Sequence, residues 1–183
     1  MKKANVTQLT YTALMTALLC VLAPLSIPVA SVPISASTFV ISLAAVLLGS
    51  KYSMICVCLY LLIGMVGVPV FAGWRSGISV ILGPTGGYLI GYLFIALFTG
   101  IFMKYGKEKL VMIIIGMVLG TVSCYVIGTA WLAYELSLDL RAALMAGVIP
   151  FIPGDIIKIV VCAVISIPIK KQLKRSMELQ REN

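Results

Sequence analysis

The chain has 183 residues, of which 61% are hydrophobic and only 11% charged. A soluble domain of that length needs far more polar surface, so a single bundle of membrane-spanning helices is expected and a water-soluble enzyme is excluded. The formal net charge of +8 does not point to nucleic acid, because the cations sit in short segments beside long apolar runs.

A spanning helix takes about 20 mainly apolar residues, and six stretches approach that length. The first, Val6 to Ala23, follows a basic start but shows no small-residue cleavage site before Pro24, so it reads as a helix and not as a removed signal. Ala13 and Ala17 form a small-xxx-small ridge on it, suited either to a contact within the bundle or to a partner helix. The connection PLSIPVASVPIS then carries three prolines that stiffen it as extended chain. The second and third stretches, Ser35 to Gly49 and Tyr52 to Gly67, are short and separated only by Ser50 and Lys51, which predicts a helical hairpin with a tight turn.

The connection GVPVFAGWRSG alternates glycine with apolar and aromatic residues and holds Trp74 and Arg75. Irregular backbone of this kind is tolerated at membrane depth only where protein or a cavity surrounds it. The fourth stretch, Gly83 to Met103, opens with GPTGGYLIGY. Glycines at a helix start let backbone N–H groups approach a polar ligand, while Gly87 and Gly91 suit close helix packing equally well. Tyr88 either lines a pocket or anchors the chain at the membrane interface. The fifth stretch, Leu110 to Tyr134, ends with Trp131 and Tyr134, for which an aromatic belt is the leading role and ligand contact the other. The sixth, Arg141 to Ile169, is interrupted by Pro150 and Pro153, so a broken helix restarting near Gly154 is expected.

The cations orient this bundle. Lys2, Lys3, Lys51, Lys104, Lys107, Lys109, Lys170, Lys171, Lys174, Arg175 and Arg181 fall on one side, against Arg75 and Arg141 on the other. The positive-inside rule therefore predicts both termini in the cytoplasm and the Pro- and Gly-rich connections outside. Cys20, Cys56, Cys58, Cys124 and Cys162 all lie in apolar runs and read as small core residues, without a disulfide framework.

Asp155 and Lys158, in PFIPGDIIK, are the ionisable residues that stand inside a span. Placing a charge at the centre of a bilayer costs about 2.5 kcal/mol or more, so such residues are functional candidates by default. Their spacing of three puts them on one helical face. Lys158 precedes Lys170 by twelve residues, about 18 Å of helix, which places the pair in the outer half of the bundle. Mutual neutralisation, or capping of the restarted helix by Asp155, is the purely structural alternative. With Arg75 the pocket carries one net positive charge, which suits a small monoanion. The chain has no His and no H-E-x-x-H, G-x-S-x-G, Walker lysine or Cys/His metal motif, so neither catalysis nor a metal site is indicated and pumping cannot be energised by this chain alone. A proton or ion carrier using Asp155 and Lys158 as a relay is the reading from a different class; it would need further titratable groups leading to both faces, and the sequence offers few.

VPIS in the first outer connection, GVPVFAG followed by GPTGGYLIGY, GTAW in the fifth stretch and PFIPGDIIK in the sixth together resemble the BioY family. These are biotin-specific substrate-binding subunits, or S components, of energy-coupling-factor transporters, and the likeness runs in order over nearly the whole chain. The resemblance implies an all-α membrane protein of six helices that captures biotin from outside. It also implies docking on a transmembrane coupling subunit that carries two cytoplasmic ATPases, and toppling of the whole S component to turn the pocket inward. No cofactor is implied beyond the ligand itself. The family's Asp and Lys fall on Asp155 and Lys158; Ser37 stands where members often carry Gln, and Arg75 where some carry Asn. The expected ligand-binding set is Asp155, Lys158, Arg75, Tyr88, Ser37, Trp74 and Trp131, with Ala13 and Ala17 facing the coupling subunit. Asp155 is expected to accept from a ureido N–H, while Lys158 and Arg75 supply donors to the ureido oxygen and the carboxylate in an order left open. An S component for another small anionic vitamin is the nearest alternative.

Overall fold

The computed structural model describes residues 6–27, 32–106 and 109–182, with side chains as far as residue 172. Lys2, Lys3 and Lys107, and the side chains of Lys174, Arg175 and Arg181, lie outside the described residues.

Helix α1, Val6–Leu22, buries Thr12, Met15, Thr16 and Leu19. The two threonines satisfy their hydroxyls on the helix itself, Thr12 Oγ1 donating to the Gln8 carbonyl at 2.7 Å and Thr16 Oγ1 to that of Thr12 at 2.8 Å. Ala13 and Ala17 are on the exposed face. The proline-rich connection is more than stiff extended chain: β1, Ser26–Ile27, pairs antiparallel with β2, Ile34–Ser35. Extended backbone leaves its N–H and C=O groups pointing sideways, where they can pair.

Helix α2, Ser37–Met65, is broken at Gly49, whose φ of 79° and ψ of 172° lie in a region essentially confined to glycine. Were it straight, Ser37 and Tyr60 would stand about 34 Å apart. Instead Tyr60 and Pro33, four residues before Ser37, line one cavity, so the two halves fold back on each other as the short stretches around Ser50 and Lys51 predict.

The following loop is held down by backbone bonds. Phe71 N–H donates to the Arg75 carbonyl at 3.0 Å, Gly73 N–H to that of Pro24 at 3.1 Å and Gly77 N–H to that of Gly64 at 2.8 Å. The Phe71 ring lies directly over Gly64, where a Cβ would collide with it. A five-residue helix α3, Ile78–Leu82, follows. It was not legible in the sequence because it is a single turn and a half.

Helices α4, Gly86–Tyr105, and α5, Leu110–Glu135, pack closely along their lengths. Small residues make that approach possible: a Cβ on Gly91 would meet Cys124 Sγ at 2.7 Å, one on Gly116 the Phe102 Cβ at 2.7 Å, and one on Gly120 the Ile95 Cα at 2.8 Å. Helix α6, Leu140–Gly147, begins at Asp139, whose carboxylate accepts from the Ala142 N–H at 3.2 Å. Helix α7, Ile152–Glu182, starts two residues before Gly154, with Pro153 in its first turn where no backbone N–H is required.

Among the described residues, four helical segments are long and apolar enough to cross a membrane, Ser37–Met65, Gly86–Tyr105, Leu110–Glu135 and Ile152–Gln172, and Val6–Leu22 is a shorter apolar helix. Large apolar side chains on α5 and α7, among them Val122, Val126, Ile157 and Val164, are exposed, as lipid-facing positions require.

Candidate functional site

The first turns of α7 carry the two charges inward. Asp155 is buried, and Lys158 Nζ lies 3.0 Å from its Oδ1. The ammonium also donates to the Ser35 carbonyl at 2.7 Å and to Thr38 Oγ1 at 3.4 Å. All three of its protons are thereby directed at acceptors on the protein. Asp155 is equally well held: Thr38 Oγ1 donates to Oδ1 at 3.4 Å, and the Tyr125 hydroxyl of α5 donates to Oδ2. Four segments thus converge on one ion pair: the end of the β-hairpin, the start of α2, the middle of α5 and the head of α7. A buried pair is tolerated only when its remaining donors and acceptors are satisfied in this manner.

Of two small cavities nearby, the first adjoins the pair. One, about 40 Å3, is lined by Ser35, Thr38, Thr121, Tyr125, Asp155 and Lys158, among others. The other, about 30 Å3, is lined by Tyr60, Phe71, Ala72, Arg75, Val80, Thr85 and Leu89. Val32, Pro33, Tyr88 and Tyr92 line both, so the two cavities are neighbours across these four residues and form the two ends of a divided chamber. A much larger cleft of about 660 Å3 opens on the far side of Tyr125 and Asp155, walled by Val118, Val122, Val126, Leu140, Leu144 and Ile156. Thr121, Tyr125, Thr129 and Asp155 line it too, but its walls are almost wholly apolar, so it offers little to orient a ligand.

The predicted residues sort themselves by this geometry. Asp155, Lys158, Arg75 and Tyr88 line the chamber. Tyr88 does so with its ring, since its hydroxyl donates to the Gly147 carbonyl at 2.9 Å and lies 3.2 Å from Thr129 Oγ1. Ser37 stands just behind the wall, its hydroxyl 2.8 Å from that of Ser35. Trp74 is 62% exposed at a positive φ of 59° and does not line either end of the chamber. Trp131 does not line it either: its indole N–H donates to the Gly83 carbonyl at 3.0 Å, and its side chain covers Gly86 and Gly87. Three of the N–H groups at the start of α4 are not open to a ligand, because those of Gly86, Tyr88 and Leu89 donate to Gly83 and Thr85 carbonyls at 2.9 to 3.2 Å. Tyr134, at 82% exposed, is placed as an interfacial anchor would be.

Thr38, Tyr125, Tyr92 and Tyr60 are the site residues that sequence reasoning missed. Thr38 contacts Asp155 from 117 positions away and Tyr125 from 30. Uncharged and set in apolar helices, they leave no local signal; a tyrosine in the middle of a span was the one available hint.

The family model described as the BioY family matches residues 1–175. A biotin transporter, BioY2, of Lactococcus lactis subsp. cremoris is 34% identical over 176 residues, covering 96% of this chain and 97% of that protein. A biotin transporter, BioY, of Thermotoga maritima is 38% identical over 164 residues, covering 90% and 96% respectively. Among solved structures, the 2.1 Å crystal structure of the S component for biotin from an ECF-type ABC transporter matches with a TM-score of 0.85 and 34% identity, over 93% of this chain and 94% of the other. With its charged motif buried in the chamber just described and its likeness running nearly end to end, the chain belongs to the BioY family.

Proposed function

We propose that the chain is the substrate-binding S component of an energy-coupling-factor transporter and that its ligand is biotin, held in the chamber between α2, α4, α5 and α7. The observation that carries this reading is the Asp155–Lys158 pair, a buried carboxylate and a half-buried ammonium hydrogen-bonded inside apolar helices, in a chain whose relatives are biotin transporters. Biotin offers two ureido N–H donors, a ureido oxygen, an apolar fused ring and one carboxylate. The chamber offers a carboxylate acceptor, two cations and tyrosine rings, with a net charge opposite to that of the ligand.

Six crossings account for the helices: α1, the two halves of α2 either side of Gly49, α4, α5, and a last crossing broken at Pro150 between α6 and α7. Both termini then lie in the cytoplasm and the chamber opens outward. Ala13 and Ala17, exposed on α1, form the ridge that docks on the transmembrane coupling subunit, which carries the two cytoplasmic ATPases. Hydrolysis belongs to those partners. A proton relay is disfavoured, because the pair is enclosed by hydroxyls and a carbonyl and not by a chain of titratable groups leading across the bundle.

Equilibrium binding of labelled biotin to the purified chain tests the reading. Tight binding that is lost in Asp155→Ala and in Lys158→Ala is the expected result; no binding, or binding untouched by both substitutions, defeats it. Ala13→Trp or Ala17→Trp should weaken assembly with the coupling module while leaving biotin binding intact, and loss of binding instead would place the ridge inside the bundle.

A further inference from the structure

The hydroxyl of Tyr60 is completely buried and has no hydrogen-bond partner among the described residues. Ser37 and Tyr92 are polar side chains beside it, and the Ser37 hydroxyl is already engaged with Ser35 at 2.8 Å. An unpaired hydroxyl in an apolar interior costs stability, and its persistence needs a reason. The Tyr60 ring does not supply one, since it packs edge-on against Phe71, with centroids 5.5 Å apart, and a phenylalanine would pack the same way. Tyr60 does, however, belong to the wall of the second end of the chamber, together with Arg75.

Arg75 is also under-used. Its Nε–H donates to the Ala72 carbonyl at 3.3 Å, and its terminal N–H groups have no partner among the described residues. A guanidinium carries five donors, so four remain. At the other end of the chamber Lys158 has its three protons committed, while Asp155 is a carboxylate with acceptor capacity left over. The chamber is therefore polarised: spare acceptors at the α7 end, spare donors at the Tyr60 end.

We infer that Tyr60 is a ligand-binding residue whose hydroxyl, with the Arg75 guanidinium, receives the anionic end of the ligand, so that the ligand lies across the bundle with its N–H donors on Asp155. The inference rests on the biotin reading above and deepens it. It assigns the carboxylate to Arg75 and Tyr60, and leaves Lys158 to fix Asp155. A site built to donate to a carboxylate discriminates against an analogue that lacks the charge, because the buried Tyr60 hydroxyl is then left unpaired, while the exposed Arg75 guanidinium returns to solvent.

The test compares biotin with its primary amide, on wild-type protein and on Tyr60→Phe, by titration calorimetry and by thermal unfolding in detergent. Tyr60→Phe should weaken biotin by about tenfold or more, the effect of one hydrogen bond to a charged group, and should reduce the preference for biotin over the amide by a similar factor. The ligand-free variant should melt at the same temperature as wild type or higher, since an unsatisfied hydroxyl has been removed. Equal weakening of biotin and the amide would overturn the inference, as would unchanged biotin affinity or a lowered melting temperature of the ligand-free variant. Failure of wild-type protein to bind biotin at all would overturn the biotin reading and this inference with it, and is recognised because it precedes any substitution.

Discussion

Replacing Lys158 by Met removes an ammonium 3.0 Å from a buried carboxylate and keeps an apolar stem of similar length. At that distance the attraction is about 5.5 kcal/mol for an effective dielectric constant of about 20, before the desolvation of the two charges is set against it. The single substitution does not merely forfeit this attraction. It leaves Asp155 in the interior with only Thr38 and Tyr125 as partners, and stranding one member of a buried pair typically costs about 3 to 5 kcal/mol. Asp155→Asn strands Lys158 in turn, although the Ser35 carbonyl at 2.7 Å retains part of its solvation, so a loss near the lower end of that range is expected. The double variant strands neither charge. Its loss should therefore fall short of the sum of the two singles by about 2 kcal/mol or more. Chemical or thermal unfolding of the ligand-free protein in detergent reads all four corners of the cycle. Additive losses, within about 0.5 kcal/mol, would show that the pair does not act as a unit and would refute the reasoning.

Tyr125→Phe removes the hydroxyl donor to Asp155 Oδ2 and keeps the ring; calorimetry should show biotin affinity lowered by roughly tenfold or more, the worth of a hydrogen bond to a charged group. Gly128→Ala should weaken binding by displacing Tyr88, whose ring lies against the Gly128 Cα, and should cost about 1 to 3 kcal/mol in unfolding measurements, as overpacking does. Gly49→Ala meets no atom within 4 Å, yet it should cost about 1 to 3 kcal/mol because the backbone there is at φ 79° and ψ 172°, while biotin affinity in the folded fraction stays unchanged.

Much of this arrangement could be read from single residues. The apolar runs located α1, α2, α4 and α5 within a few positions, since burial in lipid demands length and uniform hydropathy, but α7 runs on to Glu182, well past Ile169, where the polar sequence carries no such signal. Ser50 and Lys51 marked the turn after Gly49, and Asp155 with Lys158 marked the site, because a charge in lipid stands out by its cost. The uncharged half of the site was silent. Thr38 and Tyr125 act through contacts across 117 positions in one case and 30 in the other, and nothing local distinguishes them, or Tyr60, from other residues of a span. Trp131 and the glycines of GPTGGY illustrate the reverse. Their residue types suit a ligand site, but in the fold Trp131 holds the Gly83 carbonyl while Gly87 and Gly91 let α4 meet α5. Small residues serve backbone proximity whatever the approaching group is, and only the packing reveals which one it is.

The central claim is that one ligand bridges the two ends of the chamber. A structure of the chain with biotin bound tests it most directly. The account predicts the ureido ring within hydrogen-bond distance of Asp155 and the carboxylate beside Arg75 and the Tyr60 hydroxyl. Biotin seated instead in the apolar cleft between α5 and α7, or lying in the chamber with its carboxylate on Lys158, would contradict it.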